Sequence, residues 1–335
     1  GQLGMMLCQV AKKLNIQTFI YTDSNDSPAI KYANNYAIKQ YDDFDEIDTF
    51  IDGCDFITYE FENIPFETLS YIENKITVSP SSQINKIIQD RLTEKNYVNE
   101  INIPTVPYIE IKDIEDLKSV NTDFFPAILK TRKLGYDGKG QYVVNSSKEI
   151  TEIPKNDYIL EKKINLQQEI SIIAVRYQDG TIFTYQPIEN VHKDQILFKS
   201  YSPANSNQSI IEEAKKHAVN FAKKISYVGT FCLEFFITDK NELLLNEIAP
   251  RVHNSGHLTI ESYNVSQFES HLRSVCDLEK IKPSLRYKSE MTNILGEDIY
   301  NYRDKEFKKD EYFHDYYKKE SKIGRKMGHF TKILV

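Results

Sequence analysis

The chain has 335 residues, 40% hydrophobic and 27% charged with 18 Phe and 22 Tyr, which excludes a disordered chain and suits two or three packed domains. Lys and Arg number 42 against 49 Asp and Glu, and this net charge of −7 lacks the basic footprint of a nucleic-acid binder. No apolar run reaches the ~18–20 residues of a membrane span, and four scattered cysteines without CxxC pairing argue against disulfides or zinc and fit a reducing cytoplasm.

Gly1-Gln2-Leu3-Gly4 leads directly into an apolar helical pattern (Met5, Met6, Leu7, Val10, Ala11, Leu14). A glycine turn before a helix normally follows a buried strand. The sequence therefore reads as starting inside its first βα turn with that strand missing, a natural N-terminus with a helix cap being the alternative. Strands are expected over 18–21, 36–39 and 55–59. Helices are expected over 28–34, 45–51, 65–74 and 82–89, with a helical pattern over 91–101. This alternation argues a parallel α/β sheet, and Pro104 and Pro107 mark a boundary. From about 105 to 250 strand-like runs dominate (127–131, 141–144, 158–162, 169–176, 182–186, 231–238 and 242–248). One helix interrupts them at 210–225, with Ala214, Ala218, Phe221, Ala222 and Ile225 on one face. That is an α+β domain on antiparallel sheet. The segment from Lys282 onward is heavily charged and shows few periodic stretches.

The strongest chemical signal is Glu234 with Glu247. A two-residue loop at Lys240-Asn241 places them directly opposite on a hairpin, Cβ atoms ~4.5–5.5 Å apart. Like charges so placed among Phe, Leu and Ile call for a cation, and Asn246 adds an oxygen ligand. Hard oxygens without His or Cys suit Mg²⁺ carried on nucleotide phosphates. The alternative is two exposed glutamates on a solvated hairpin face. Gly135-Tyr136-Asp137-Gly138-Lys139-Gly140-Gln141 joins two strands and is no Walker A loop, since no Lys-Ser/Thr pair and no helix follow. Its glycines suit a flap whose amides close over phosphates, with Lys130 as a point charge, or an ordinary hairpin loop. The cluster Arg251, His253, Asn254, Ser255 and His257 follows Glu247 at once and offers anion donors and a titrating imidazole, or merely caps a helix. Zinc at His253 and His257 lacks further ligands. Gly324–His329, with Arg325 and Lys326 between glycines, is a phosphate or carboxylate grip or a solvated turn.

In this order, Gly1–Gly4, Tyr59-Glu60-Phe61-Glu62-Asn63, Asp90–Lys95, Gly135–Gln141, Asn246–His257 and Gly324–His329 resemble the ATP-grasp superfamily. Within it, they look like the N5-carboxyaminoimidazole ribonucleotide synthetases of microbial purine biosynthesis, along essentially the whole chain. The resemblance implies a Rossmann-like N-terminal domain (1–103), a central ATP-grasp domain with antiparallel sheets (104–280) and a small C-terminal domain (281–335). ATP would lie between two sheets. Arg91 and Lys130 would meet phosphates under the flap, Glu161, Lys162, Lys163 and Ile164 would line the adenine edge, and Glu169 would bind ribose hydroxyls near His192. Glu234 and Glu247 would hold Mg²⁺, with Asn246 alongside.

The resemblance also places Gln2, Leu3 and Glu60 on aminoimidazole ribonucleotide. Asp137, Arg251, His253 and Lys326 would surround the reacting carbon and the substrate phosphate, with Asn254 and Ser255 beside them. The implied reaction is carboxylation by bicarbonate through carboxyphosphate, in a cytoplasmic homodimer, with His253 or Asp137 as proton acceptor. Leu134 stands where the family usually has a small residue, and the chain also reads as ending early at Val335. The rival readings are another ATP-grasp ligase such as the formate-dependent glycinamide ribonucleotide transformylase, a truncated nucleotide binder without catalysis and, on Gly1–Gly4 alone, a dinucleotide oxidoreductase.

Overall fold

The structure is a computed structural model describing residues 1–135, 140–149, 152–153 and 157–334. Of the opening glycine motif, Gly1 caps a helix and the other three residues lie within it. Helix α1 (Gln2–Lys13) already contains Gln2, Leu3 and Gly4, and buries Leu3, Met5, Met6, Leu7 and Ala11 against Val252, Phe268 and Leu272. Strands β1 (Phe19–Thr22) and β2 (Asn35–Ile38) pair in parallel, Phe19 opposite Asn35. The helix expected over 28–34 shrinks to a 3₁₀ turn at Pro28–Lys31. The Asn34 amide bonds the Thr18 carbonyl, which starts β2 and ends the turn. Helices α2 (Phe44–Ile51), α3 (Phe66–Glu73) and α4 (Ser82–Ile88) follow. The strand expected at 55–59 is reduced to one parallel bridge, Ile57 to Val78.

Helix α5 (Arg91–Glu100) starts where the Asp90 carboxylate accepts from the Leu92 and Thr93 amides. Strand β3 (Tyr108–Ile111), helix α6 (Ile114–Ser119) and strands β4 (Ala127–Thr131), β5 (Gln141–Val144) and β6 (Tyr158–Lys162) come next. They build an antiparallel sheet in the order β3-β6-β4-β5. A larger sheet contains β7 (Leu166–Arg176), β8 (Ile182–Thr184), β9 (Ile188–Lys193) and β10 (Ile196–Ser202). Helix α7 (Gln208–Lys224) covers it, burying Ile210, Ala214, Ala218, Phe221 and Ala222 at helical spacing. Ile84, Val98 and Ile103 share that core, so α4 and α5 pack on the same sheet.

The chain continues with β11 (Gly229–Thr238), β12 (Leu243–Ala249), α8 (Thr259–Ser262) and α9 (Gln267–Val275). Strand β13 (Lys288–Leu295), helix α10 (Asp298–Arg303), strand β14 (Glu311–Asp315) and strand β15 (Lys326–Leu334) complete the described chain. Among the described residues the large sheet runs β12-β11-β7-β9-β10-β13-β15-β14, with β8 beside β7. The charged C-terminal segment thus extends the central sheet through β10–β13 pairing, Ser202 opposite Ser289. Its strands escape a hydrophobic-pattern reading because Gly328, His329 and Thr331, all buried in β15, are not apolar side chains.

One buried histidine ties these parts together. His271 on α9 accepts from the Thr230 amide at Nδ1, 3.1 Å, and its Nε2 lies 2.7 Å from Thr58 Oγ1. Burial lowers its pKa to about 4, so the folded state excludes a proton that the unfolded chain takes up below about 6.5. Its contribution is therefore present above pH 6.5 and is lost as pH falls toward 4, an effect of about 2–4 kcal/mol. In His271→Gln the melting temperature is expected to depend less on pH across that window. Parallel melting-versus-pH curves for the two proteins would contradict this account.

Candidate active site

The β11–β12 hairpin carries the acidic pair. Glu234 faces Glu247, between the pairs Leu233–Ile248 and Phe235–Leu245. The opposition arises differently from the two-residue loop assumed on the sequence. Asp239, Lys240 and Asn241 form a three-residue loop, with Thr238 N–H bonded to the Glu242 carbonyl and Asn241 at φ +61°. That loop alone would pair Glu234 with Asn246. A bulge between Glu234 and Phe235 restores the register by leaving Asn246 as the extra residue.

Glu234 is 9% exposed and its Oε1 accepts from Ser171 Oγ at 3.3 Å. Burial first, and Glu247 second, push its pKa up to about 7. Two unit charges ~4.5 Å apart at an effective dielectric of ~20 repel by about 4 kcal/mol. Asn246 Oδ1 is buried and has no hydrogen-bond partner among the described residues. Two carboxylates and an orphaned amide oxygen fit a hard divalent cation such as Mg²⁺.

Cations border this pair. Arg91 Nη1 lies 3.4 Å from Glu247 Oε2, and its Nη2 donates to the Gly135 carbonyl at 3.2 Å. Lys130 Nζ sits 2.6 Å from Glu161 Oε2, whose other oxygen lies 3.1 Å from Lys95 Nζ. Burial alone would raise the Glu161 pKa, but Lys130 and Lys95 outweigh it and pull it down to about 2. The Glu161 carboxylate is thus committed to two lysines, and Glu161, Lys162, Lys163 and Ile164 all line the cleft. Glu169 and His192 come together as expected, Oε2 to Nδ1 at 2.9 Å. Burial opposes the imidazolium, but the Glu169 bond prevails and raises the His192 pKa.

Of the flap, Tyr136, Asp137, Gly138 and Lys139 lie outside the described residues. Its flanks are set by backbone chemistry. Gly140, at φ +73°, would drive a Cβ to 2.6 Å from Thr131 Oγ1, so only glycine fits. Leu134 holds a left-handed φ of +62° with its side chain exposed. Gly140 itself does not line the cleft, whereas Gly135 and Gln141 do.

The same cleft gathers the second motif set. Arg251 donates through Nε to Glu62 Oε2 at 2.9 Å, with Nη2 2.8 Å from the same oxygen as an ion pair, and through Nη1 to the Val252 carbonyl at 3.1 Å. His253 Nδ1 lies 2.9 Å from Ser255 Oγ and 3.6 Å from Glu234 Oε1. Burial and then Arg251 hold its pKa well below 6.5, so the imidazole is neutral rather than the readily titrating group expected. Ser255 is fully buried and lies off the cleft, where it bonds His253 instead of facing a ligand. Asn254, Gln2, Leu3, Glu60 and Lys326 line the cleft. The basic loop is joined to the N-terminal region by Arg325 Nη2 and Asp26 Oδ2, 3.2 Å apart. This open cleft has a volume of about 1680 Å³.

Known proteins share this fold. The ribonucleotide synthetase preATP-grasp domain matches residues 1–89, the ATP-grasp domain 96–268, and the phosphoribosylaminoimidazole carboxylase C-terminal domain 289–334. An N5-carboxyaminoimidazole ribonucleotide synthase of Staphylococcus aureus (strain MRSA252) is 38% identical, over 99% of this chain and 90% of its own length. The chain belongs to the N5-carboxyaminoimidazole ribonucleotide synthase family. A crystal structure of such a synthetase in complex with ADP is 34% identical, with TM-score 0.95 over 100% of this chain and 90% of that one. An Aspergillus clavatus synthase in complex with ADP and 5-aminoimidazole ribonucleotide is 29% identical, with TM-score 0.92 over 100% and 92%.

Two features of this family member go beyond the expected residues. Glu62 was legible only as part of the Tyr59–Asn63 motif, yet it is the partner that fixes Arg251. Lys95, in the Asp90–Lys95 motif, is 2% exposed and belongs to the Lys130–Glu161 network. A lysine four residues beyond Arg91 on one helix face was the available signal.

Proposed function

We propose that the chain is an ATP-dependent carbon–nitrogen ligase that carboxylates 5-aminoimidazole ribonucleotide with bicarbonate, giving N5-carboxyaminoimidazole ribonucleotide and ADP in purine biosynthesis. One observation carries the reading. A single cleft is lined by the acidic pair, Arg91 and Lys130 together with Arg251, His253 and Lys326, and His253 Nδ1 stands 3.6 Å from Glu234 Oε1 within it. Glu234, Glu247 and the Asn246 amide would hold Mg²⁺. Bound there, the ion would neutralise phosphate charge and draw electron density from the γ-phosphorus.

The chain's own groups do the rest. Lys130 and Arg91 hold the triphosphate, and Glu169 with His192 takes the ribose. A bicarbonate oxygen attacks the γ-phosphorus, the bond to the ADP oxygen breaks, and carboxyphosphate forms. Arg251, fixed by Glu62, orients the bicarbonate and its phosphorylated product. The exocyclic amine of the ribonucleotide then bonds the carbon of carboxyphosphate, or of CO₂ released from it. Phosphate leaves, and the amine proton passes to a base. His253, with Ser255 holding one ring nitrogen, or Asp137 is the acceptor in this reading. Gln2, Leu3, Glu60 and Asn254 seat the ribonucleotide, Lys326 grips its phosphate, and the glycine flap excludes water from a hydrolysable intermediate.

The reading extends to the chain division at 103/104 and 280/281, to a homodimer testable by sedimentation, and to the cytoplasm, which the free cysteines suit. The central test is ADP release that requires both bicarbonate and 5-aminoimidazole ribonucleotide. Release that ignores the ribonucleotide, or that accepts formate in place of bicarbonate, would sink it. In the same assay Lys326→Ala is expected to raise KM for the ribonucleotide about tenfold, about 1.4 kcal/mol of binding, and KM for ATP by less than about twofold. A larger effect on ATP would remove Lys326 from the ribonucleotide site.

A further inference from the structure

The register that sets Glu247 against Glu234 depends on one extra residue in β12. Without that bulge the pairing imposed by the three-residue loop would continue, and a one-residue slip turns every later side chain to the other face of the sheet. Something must hold the bulge. The face of α5 does so residue by residue. Lys95 Nζ donates to the Asn246 carbonyl at 3.3 Å. Arg91 Nη1 reaches Glu247 Oε2 at 3.4 Å, and Ile248 N–H donates to Glu94 Oε1 at 2.6 Å. Arg91, Glu94 and Lys95 share that face because they are three and four residues apart.

Lys95 has a second task. Its ammonium lies 3.1 Å from Glu161 Oε1, while Glu161 Oε2 lies 2.6 Å from Lys130 Nζ. It also donates to Thr105 Oγ1 at 3.0 Å, where the chain enters the small sheet. Glu94 and Lys95 are 3% and 2% exposed. Burying ionisable side chains is a poor way to gain stability, since apolar packing of similar volume does as well or better. Their contacts fall on the backbone and carboxylates that aim groups into the cleft.

We propose that Glu94 and Lys95 are positioning residues for the metal–nucleotide site. They fix the β12 bulge so that Asn246 and Glu247 face Glu234, and Lys95, through Glu161, sets where the Lys130 ammonium stands. Neither touches the reacting atoms. The inference rests on reading Glu234 and Glu247 as the metal ligands.

The test compares Lys95→Met, Glu94→Leu and Glu94→Gln with the unaltered enzyme, following ADP release across Mg²⁺, ATP and ribonucleotide concentrations. Lys95→Met and Glu94→Leu are expected to raise the Mg²⁺ half-saturation and KM for ATP about tenfold, with KM for the ribonucleotide within about twofold. Glu94→Gln keeps an acceptor oxygen for Ile248 N–H and should stay within about twofold throughout. A merely structural role would lower the melting temperature and the active fraction while leaving the Mg²⁺ half-saturation in place. That result in both Lys95→Met and Glu94→Leu overturns the proposal; if the leucine variant does not fold, Lys95→Met decides alone. Glu247→Gln, run in parallel, separates the two readings. An unchanged Mg²⁺ requirement there removes the metal assignment and this inference with it, whereas a change there without one at Lys95 or Glu94 overturns only the positioning role.

Discussion

Glu247→Gln is expected to lower ribonucleotide-dependent ADP release by a factor of about 100 or more, equivalent to about 2.7 kcal/mol of transition-state stabilisation. The amide keeps the size of the side chain and one oxygen but loses the charge that balances a divalent ion. The same change should leave the fold intact. In the metal-free protein Glu247 faces a second carboxylate, and among the described residues its ion-pair partner is Arg91, 3.4 Å away. Removing its charge relieves the repulsion that helps hold the Glu234 pKa near 7, so the Glu234 pKa should fall in the variant. Two measurements check the argument together. Melting curves should show the variant at least as stable as the parent without Mg²⁺ and no longer protected by Mg–ADP, while steady-state kinetics record the loss of turnover. Near-normal turnover would contradict the metal assignment, and so would undiminished protection by Mg–ADP.

The hairpin shows how a sequence reading and a structure can agree for different reasons. Opposition of Glu234 and Glu247 follows from counting across a two-residue loop, yet the chain uses three loop residues and one bulge, and the two offsets cancel. A bulge leaves little trace in one sequence because it depends on what grips the extra residue. Here the grip comes from α5, some 150 positions earlier, through Lys95 and the Asn246 carbonyl. Strands 127–131, 141–144 and 158–162 were legible to the residue because each alternates or runs apolar between turn signals. The segment 55–59 carries the same β-rich composition but forms only the Ile57–Val78 bridge. Composition reports what suits a strand, not whether a partner lies alongside.

The site was legible as chemistry and less so as division of labour. Arg251, His253 and Lys326 converge on one cleft with Glu60 and Gln2, as motif order suggested. Ser255 and Glu161 do not present free polar groups to it: Ser255 is bonded to His253, and Glu161 is held between Lys130 and Lys95. Both belong to polar motifs, and polarity alone does not separate a group that meets a ligand from one that holds its neighbour. That distinction requires knowing which side of a strand or loop is buried. The neutrality of His253 has the same origin, since burial and the nearby Arg251 cation together disfavour its charged form.

Arg251→Lys is the second substitution expected to have a large effect. The guanidinium is held at three nitrogens, two by Glu62 and one by the Val252 carbonyl. It thereby links the Tyr59–Asn63 loop to the segment after β12 with its charge in a fixed orientation. Lysine keeps the charge but not the planar fork, so it cannot satisfy Glu62 and the carbonyl at once while still facing a ligand. Preorganised charge at a developing anion contributes about 2.7–4 kcal/mol where single donors have been removed from such sites. The expected result is a loss of about 100-fold or more in kcat/KM for bicarbonate, with KM for ATP within about threefold. Glu62→Gln should act in the same direction and less strongly, because it loosens the guanidinium without deleting it. If Arg251→Lys instead raised KM for ATP while the bicarbonate dependence held, Arg251 would belong to the triphosphate site. Carboxyl transfer would then rest on His253 and Lys326. Kinetics with bicarbonate and ATP varied independently decide between these outcomes.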